Sequence, residues 1–268
     1  MLVPHLALPG TPLTISLLGL GTVKFGRNQG VKYPTTFELP DDKVLADLLS
    51  LARDLGVNLL DTAPAYGISE ERLGKLLVGQ RPQWIVSTKT GEEFENGQSR
   101  FDFSAKHTRA SVERSLKRLR TDWLDLVLIH SNGDDLVVLQ ETDVVSTLQT
   151  LKQEGKVRAI GFSGKTVEGG IKALQSLDVA MVTYNQAETQ EEAVIRYAHA
   201  HQKGIFIKKA FASGHSLNGA AETSVTAALK HILAVPGVSS IIAGTINPRH
   251  LQDNAASLVA AWQAGRNT

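Results

Sequence analysis

Short runs of aliphatic and β-branched residues alternate along the chain with longer segments whose apolar positions recur at helical spacing. The runs at 15–21, 58–62, 84–89, 124–130, 157–163, 179–185, 204–211 and 238–245 read as strands. Several are continuously apolar, as parallel strands covered on both faces must be. Between them, 41–55 carries Leu45, Leu48, Leu49 and Ala52 on one stripe, with Gly56 placed to stop the helix. The segment 69–77 opens on Ser69 as a cap, with Glu70 and Glu71 in its first turn. Further helices are expected at 104–119, 143–154, 166–177, 190–202, 218–233 and 248–264, the last with Pro248 in its first turn after Asn247. Eight strands, each followed by a helix, make a (β/α)8 barrel, expected as a single domain over 1–268. The alternative, a doubly wound sheet, seldom needs eight such units, and Gly19-Leu20-Gly21 lacks the rest of a GxGxxG fingerprint. The stretch 5–14, with Pro9-Gly10, predicts a short N-terminal hairpin. The stretches 26–40 and 91–103 read as irregular loops on the rim at the strand C-termini, where barrel active sites are built.

Composition narrows the function. The 268 residues, 42% of them apolar, suffice for a large core and exclude a disordered chain. Twenty-eight basic against 27 acidic residues give a net charge of +1, which argues against nucleic acid as the main partner. The absence of cysteine removes disulfides, thiolate metal sites and thiol nucleophiles, and no metal is expected. Residues 1–23 contain no Asp, Glu, Lys or Arg, but Pro4, Pro9, Gly10 and Pro12 interrupt the run and no basic residue precedes it. A signal peptide or membrane span does not fit that pattern, so a cytoplasmic protein without a membrane partner is expected.

In a barrel, the strand ends carry the chemistry. Asp61 ends the second strand, Lys89 the third and His130 the fourth, and Tyr66 lies on the loop just past Asp61. Each alone has an ordinary reading: a cap, a surface lysine, a structural histidine, a packing tyrosine. Their joint placement on consecutive strand ends makes them a candidate constellation. Here the chain resembles the aldo-keto reductases nearly end to end. Gly19-Leu20-Gly21-Thr22 is similar to the family's GLGT opening. Leu60-Asp61-Thr62-Ala63 with Tyr66-Gly67 resembles its DTA–YG motif, with Glu70, Leu73 and Gly74 fitting the helix that follows. Ser87-Thr88-Lys89 resembles the TK strand end, Asp125 to His130 the DLxLxH segment, Gly155 to Ser163 the GKxRxIGxS segment, and Gly244-Thr245 through Asn254 the stretch that grips the adenosine end of the cofactor.

The resemblance implies NADPH-dependent reduction of an aldehyde or ketone to an alcohol. A side chain cannot supply hydride, so a dinucleotide must. Tyr66 would deliver the proton, with its pKa of about 10 eased by the Lys89 charge. Asp61 would hold Lys89 ionised, and His130 would donate a hydrogen bond to the carbonyl oxygen. Along the cofactor the resemblance implies Gly21, Thr22, Lys24, Asp61 and Ser163, then Phe211, Ser213 and Gly214, and finally Gly244, Thr245, Asn247, Arg249, Gln252 and Asn254, with His250 and Asp253 in the same stretch. Arg249 is the candidate for a 2′-phosphate, favouring NADP(H). Three positions depart from the family: Gly164 replaces an Asn, Met181 replaces a carboxamide-binding Gln, and Lys208 stands where an aromatic stacks on the nicotinamide. Met181 has an alternative reading as barrel core. Lys208 either reaches a pyrophosphate oxygen or points to water. Two other functions compete: a lyase forming a Schiff base on Lys89, and a non-catalytic NADP-binding sensor. Specificity would come from the rim stretches 24–40, 91–103 and 131–142, with a small-molecule carbonyl as substrate.

Overall fold

The computed structural model describes residues 1–31, 36–211 and 221–266. A hairpin of β1 (His5–Ala7) and β2 (Thr14–Ser16) precedes β3 (Leu18–Gly21), which leads through a one-turn helix α1 (Val23–Gly26) to α2 (Asp42–Asp54). The repeat continues with β4 (Leu59–Asp61), α3 (Ser69–Leu76) and β5 (Ile85–Thr90). A hairpin of β6 (Glu92–Glu95) and β7 (Gln98–Phe101) then precedes α4 (Ala105–Leu119) and β8 (Leu124–His130). Next come α5 (Asp135–Gln140), α6 (Val144–Gln153), β9 (Val157–Ser163), α7 (Val167–Leu174), β10 (Val179–Thr183) and α8 (Glu192–Ala200). The described chain ends with β11 (Gly204–Lys208), α9 (Ala221–Leu233), β12 (Ser240–Ala243) and α10 (Pro248–Ala264).

Strands β3, β4, β5, β8, β9, β10, β11 and β12 close into a parallel barrel of eight, with β12 pairing back onto β3. All eight expected strands are present. Two apolar layers result. Leu59, Leu128, Met181 and Phe206 fill the barrel interior, and Leu8 and Ile15 join them from the N-terminal hairpin, which seals the end opposite the rim. A larger layer packs strands against helices, with Leu45, Leu48 and Leu49 of α2 fully inside it. Among the described residues no helix is long and apolar enough to cross a membrane.

The structure corrects three local expectations. The 15–21 run splits, its first two residues pairing in β2 and its end forming β3. The 91–103 stretch is an antiparallel hairpin, turning at Asn96 and Gly97 with φ of 52° and 81°. Asn-Gly suits such a turn because both central residues must be left-handed. Ser69 is no cap. Its hydroxyl is buried and donates to the Thr22 carbonyl at 3.0 Å and Thr22 Oγ1 at 2.9 Å, lashing α3 to the end of β3.

That lashing brings two backbone segments together at Gly26 and Gly67. A Cβ on Gly67 would lie 2.2 Å from the Gly26 oxygen, and Gly67 has φ of 62°, so an L side chain is refused twice. Gly67→Ala is expected to destabilise the fold by roughly 1–3 kcal/mol, the range for a forced non-glycine backbone. Urea unfolding of the variant beside wild type checks this.

Candidate active site

Asp61, Lys89 and His130 converge because neighbouring strands deliver them. Asp61 ends β4, Lys89 sits one residue before the end of β5, and His130 ends β8. Tyr66 closes the short 3₁₀ turn Pro64–Tyr66 that leaves β4. The Lys89 side chain is 1% exposed, and its Nζ donates to both Asp61 oxygens at 2.8 Å, to the Thr62 carbonyl at 2.9 Å and to Tyr66 Oη at 3.2 Å. Burial pulls the lysine pKa down, but Asp61 and Tyr66 more than reverse this, and the net shift is upward. Burial raises the Tyr66 pKa, and although Lys89 opposes it the net shift is also upward. The cation thus restrains a shift that burial dominates, and Tyr66 keeps its proton at neutral pH.

His130 has a neighbour the sequence reading missed. Its Nδ1 lies 2.7 Å from Glu92 Oε2, off the line of a good hydrogen bond. Glu92 reaches the ring from the first strand of the β6–β7 hairpin, so a stretch taken as an irregular loop supplies a charge to the site. The Asn96-Gly97 dipeptide was the available signal for that hairpin. Burial, Lys89 and Lys208 depress the His130 pKa, against the opposing pull of Glu92. Despite its own burial, Glu92 is held at about 2 by His130, Ser99 and Arg27.

A cavity of about 1610 Å³ opens from this constellation across the rim. Gly21, Thr22 and Lys24 line it after β3, although the Thr22 hydroxyl donates inward to the Asp61 carbonyl at 3.0 Å. Ser163, Gly164 and Met181 form the next part of the wall. Met181 faces both ways, being a cavity wall and part of the buried inner core. A Cβ on Gly164 would stand 2.7 Å from Phe162 Cε1 and 2.9 Å from Asp135 Oδ2. The Asn of related chains has no room here, because Asp135 holds this loop by accepting from the backbone N–H groups of Lys165 and Thr166, each at 2.8 Å.

Lys208 does not point to water. It is half-buried, lines the cavity, and donates to Ser163 Oγ at 3.1 Å and the Gly164 carbonyl at 2.7 Å. Phe211 also lines the cavity, whereas Ser213 and Gly214 lie outside the described residues. At the far end stand Gly244, Thr245, Asn247, Arg249 and Asn254, along with His250 and Asp253. Gln252 does not reach the cavity. It is exposed on α10, where a helix advancing about 100° per residue turns it outside the arc swept by Arg249, His250, Asp253 and Asn254. Arg249 is exposed and makes no ion pair among the described residues.

A parallel barrel thus brings a paired lysine, a carboxylate, a tyrosine and a histidine to one rim. The model of the Aldo/keto reductase family matches residues 17–220, and the chain belongs to that family. A solved Pseudomonas aeruginosa protein described as an aldo-keto reductase is 55% identical, with a TM-score of 0.88 over 96% of this chain and 95% of that one. "Aldo-keto reductase YhdN" of Bacillus subtilis is 36% identical over 72% of this chain and 58% of its own length. "L-galactose dehydrogenase" of Arabidopsis thaliana is 36% identical over 59% of this chain and 47% of its own. The chain therefore aligns with about half the length of these two curated relatives.

The opposed charges around His130 predict acid lability with a definite sign. Both His130 and Glu92 have folded pKa values below their ordinary ones, so the unfolded chain binds more protons and stability rises with pH. Stability should fall as pH drops below 6.5, and the Glu92 share should go between 4.5 and about 2. Glu92→Gln should flatten the lower part of that curve. Urea midpoints measured across this range test it, and an unchanged slope would remove Glu92 from the account.

Proposed function

We propose that the protein is an NADPH-dependent reductase of small aldehydes or ketones. One observation carries this reading: a buried lysine, pinned by a bidentate carboxylate, holds a protonated tyrosine 3.2 Å away in the wall of the rim cavity. The cavity suits an anionic dinucleotide. Lys24, Lys165, Lys208, Lys209 and Arg249 line it from the tetrad to the start of α10, where Asn247 caps the helix. Bound there, a reduced nicotinamide supplies hydride to the carbonyl carbon.

The remaining work falls to this chain's own residues. Tyr66 Oη gives its proton to the carbonyl oxygen as negative charge develops on it, and Lys89 stabilises the phenolate left behind. Asp61 keeps the Lys89 ammonium ionised in a place without water. His130 faces the same oxygen. Glu92 Oε2, 2.7 Å from Nδ1, gives the ring a counter-charge whenever it is protonated, and Nε2–H then donates to the carbonyl oxygen. Schiff-base chemistry at Lys89 would need a neutral amine, and Asp61 works against that form. Relatives named as methylglyoxal reductases and aldose dehydrogenases support carbonyl–alcohol interconversion for this chain as well.

Tyr66→Phe keeps the ring and removes the proton. Turnover of NADPH with a reactive aldehyde should fall at least ~100-fold, the low end for a general acid, with NADPH affinity nearly unchanged. Full turnover in that variant would end the assignment.

The adenosine end has its own test. If Arg249 pairs with a 2′-phosphate, the charge-assisted contact is worth roughly 1.5–3 kcal/mol. Arg249→Ala should then weaken NADPH by about 10- to 100-fold and leave NADH alone. Fluorescence titration of both cofactors decides, and equal losses would count against a phosphate role.

A further inference from the structure

We propose that the Lys208 ammonium discriminates between the redox states of the nicotinamide, favouring the neutral reduced ring over the cationic oxidised one. The proposal rests on the cofactor reading above and adds a residue to which nothing has assigned that task.

The placement carries the argument. Lys208 ends β11 and bonds Ser163 and Gly164 at the end of β9, so its side chain crosses the end of the intervening β10 above the cavity wall that Met181 forms. The ammonium is thereby pinned across the inner part of the cavity instead of hanging at its mouth. A ring that passes hydride to a carbonyl held on Tyr66 must come within about 3–3.5 Å of the carbonyl carbon. Tyr66, His130, Met181 and Lys208 line one cavity, and these are the side chains that would surround such a ring.

In that space Lys208 has no carboxylate at contact distance, although Glu191 attracts it more strongly than either Lys209 or Lys89 repels it. It makes no salt bridge within 4 Å among the described residues. Its two hydrogen-bond partners are a hydroxyl and a carbonyl. The acids that face it act from farther off. Asp135 is occupied by Ser131, Lys165 and Thr166, and Glu191 accepts the Thr183 N–H on Oε2 while its buried Oε1 has no hydrogen-bond partner among the described residues. Lys89 and Lys209 repel it. Burial is the largest cause holding its pKa down, at about 8, and the charge senses Lys89 and, in turn, acts on His130. A group so poised resists a second positive charge nearby. The reduced ring carries none and the oxidised ring carries one. Opposite preferences at a few ångströms, in a site of effective dielectric near ~20, amount to a tenfold or larger ratio of affinities. The consequence for turnover is that oxidised cofactor leaves readily once hydride has gone.

Dissociation constants of NADPH and NADP⁺ test this, measured by calorimetry at about pH 6.5 and about pH 9.5. Adenosine 2′,5′-bisphosphate, which lacks the nicotinamide, is titrated beside them. For wild type the ratio of the NADP⁺ constant to the NADPH constant should be high at the lower pH and shrink about tenfold at the higher, as Lys208 discharges. Lys208→Met should give the shrunken ratio at both pH values, and Lys208→Arg, charged throughout, the high ratio at both. The bisphosphate should not respond to either substitution. A wild-type ratio that ignores pH overturns the proposal without any variant. So does a Lys208→Met protein with the wild-type ratio, or one that loses all three ligands equally, since that marks a general scaffold role. If wild type binds neither cofactor form, the cofactor reading itself fails and this proposal falls with it.

Discussion

A lysine ammonium without water stays charged only if protein atoms replace its hydration shell, and the rim of this barrel is arranged around that requirement. The donors of Lys89 are met by the Asp61 carboxylate, the Thr62 carbonyl and the Tyr66 hydroxyl. Three of these four groups come from the end of β4 and the turn beyond it, and the fourth is the lysine on β5. Their meeting is therefore a matter of register, with Asp61 lying opposite Ser87, two residues before Lys89. A slip of one residue would turn Lys89 to the outside of the barrel. The alternation shows on the next residue. Thr88 points outward and donates at 2.6 Å to Glu70, a fully buried carboxylate of α3 that Arg118 approaches from α4. The catalytic face and the helix-packing face of β5 are thus fixed by the same strand.

Around this pair, the loops are held by backbone contacts more than by side-chain bulk. Gly26 and Gly67 touch main chain to main chain, which sets the turn that carries Tyr66. The Ser69 hydroxyl donates to Thr22 beneath it, and the Thr22 hydroxyl donates to the Asp61 carbonyl. On the other side Asp135 gathers the loop after β9, and Gly164 leaves the room that arrangement needs. The cost of Asp135 as organiser is a side chain lost at 164, and the Lys208 ammonium lies against the carbonyl that remains.

Much of this was legible from the order of residues. Parallel strands buried on both faces read as unbroken apolar runs, so the eight strands and the residues ending them could be placed before any coordinates. Asp61, Lys89 and His130 follow from that alone, and Tyr66 from its closeness in sequence to Asp61. The misses have physical causes. Glu92 was hidden because its hairpin is short and its strands are half-exposed and polar, leaving only Asn96-Gly97 to signal a turn. The helix α5 spans too few residues to show a period. Gln252 was misplaced because a motif gives sequence neighbourhood and a helix then rotates it away. The partners of Lys208 are not legible in the sequence because Ser163 and Gly164 lie 45 and 44 residues earlier, and only closure of the barrel brings them close.

Buried Lys89 and half-buried Lys208 then divide the electrostatic work of the rim. Lys89 is neutralised at contact distance by a carboxylate, so its charge is spent locally, on Tyr66. Lys208 has no such partner, and its field extends into the cavity and to His130. His130 feels the repulsion of both and the attraction of Glu92, so its charge state answers to all three. Discharging Lys208 relieves the imidazole of one repulsion, whereas discharging Asp61 would strand Lys89 and add to the repulsion. A site with one cation paired at contact distance and one not so paired can therefore keep its proton donor protonated and still oppose positive charge arriving on the neighbouring ring. A barrel rim with both lysines paired would have the first property and lack the second.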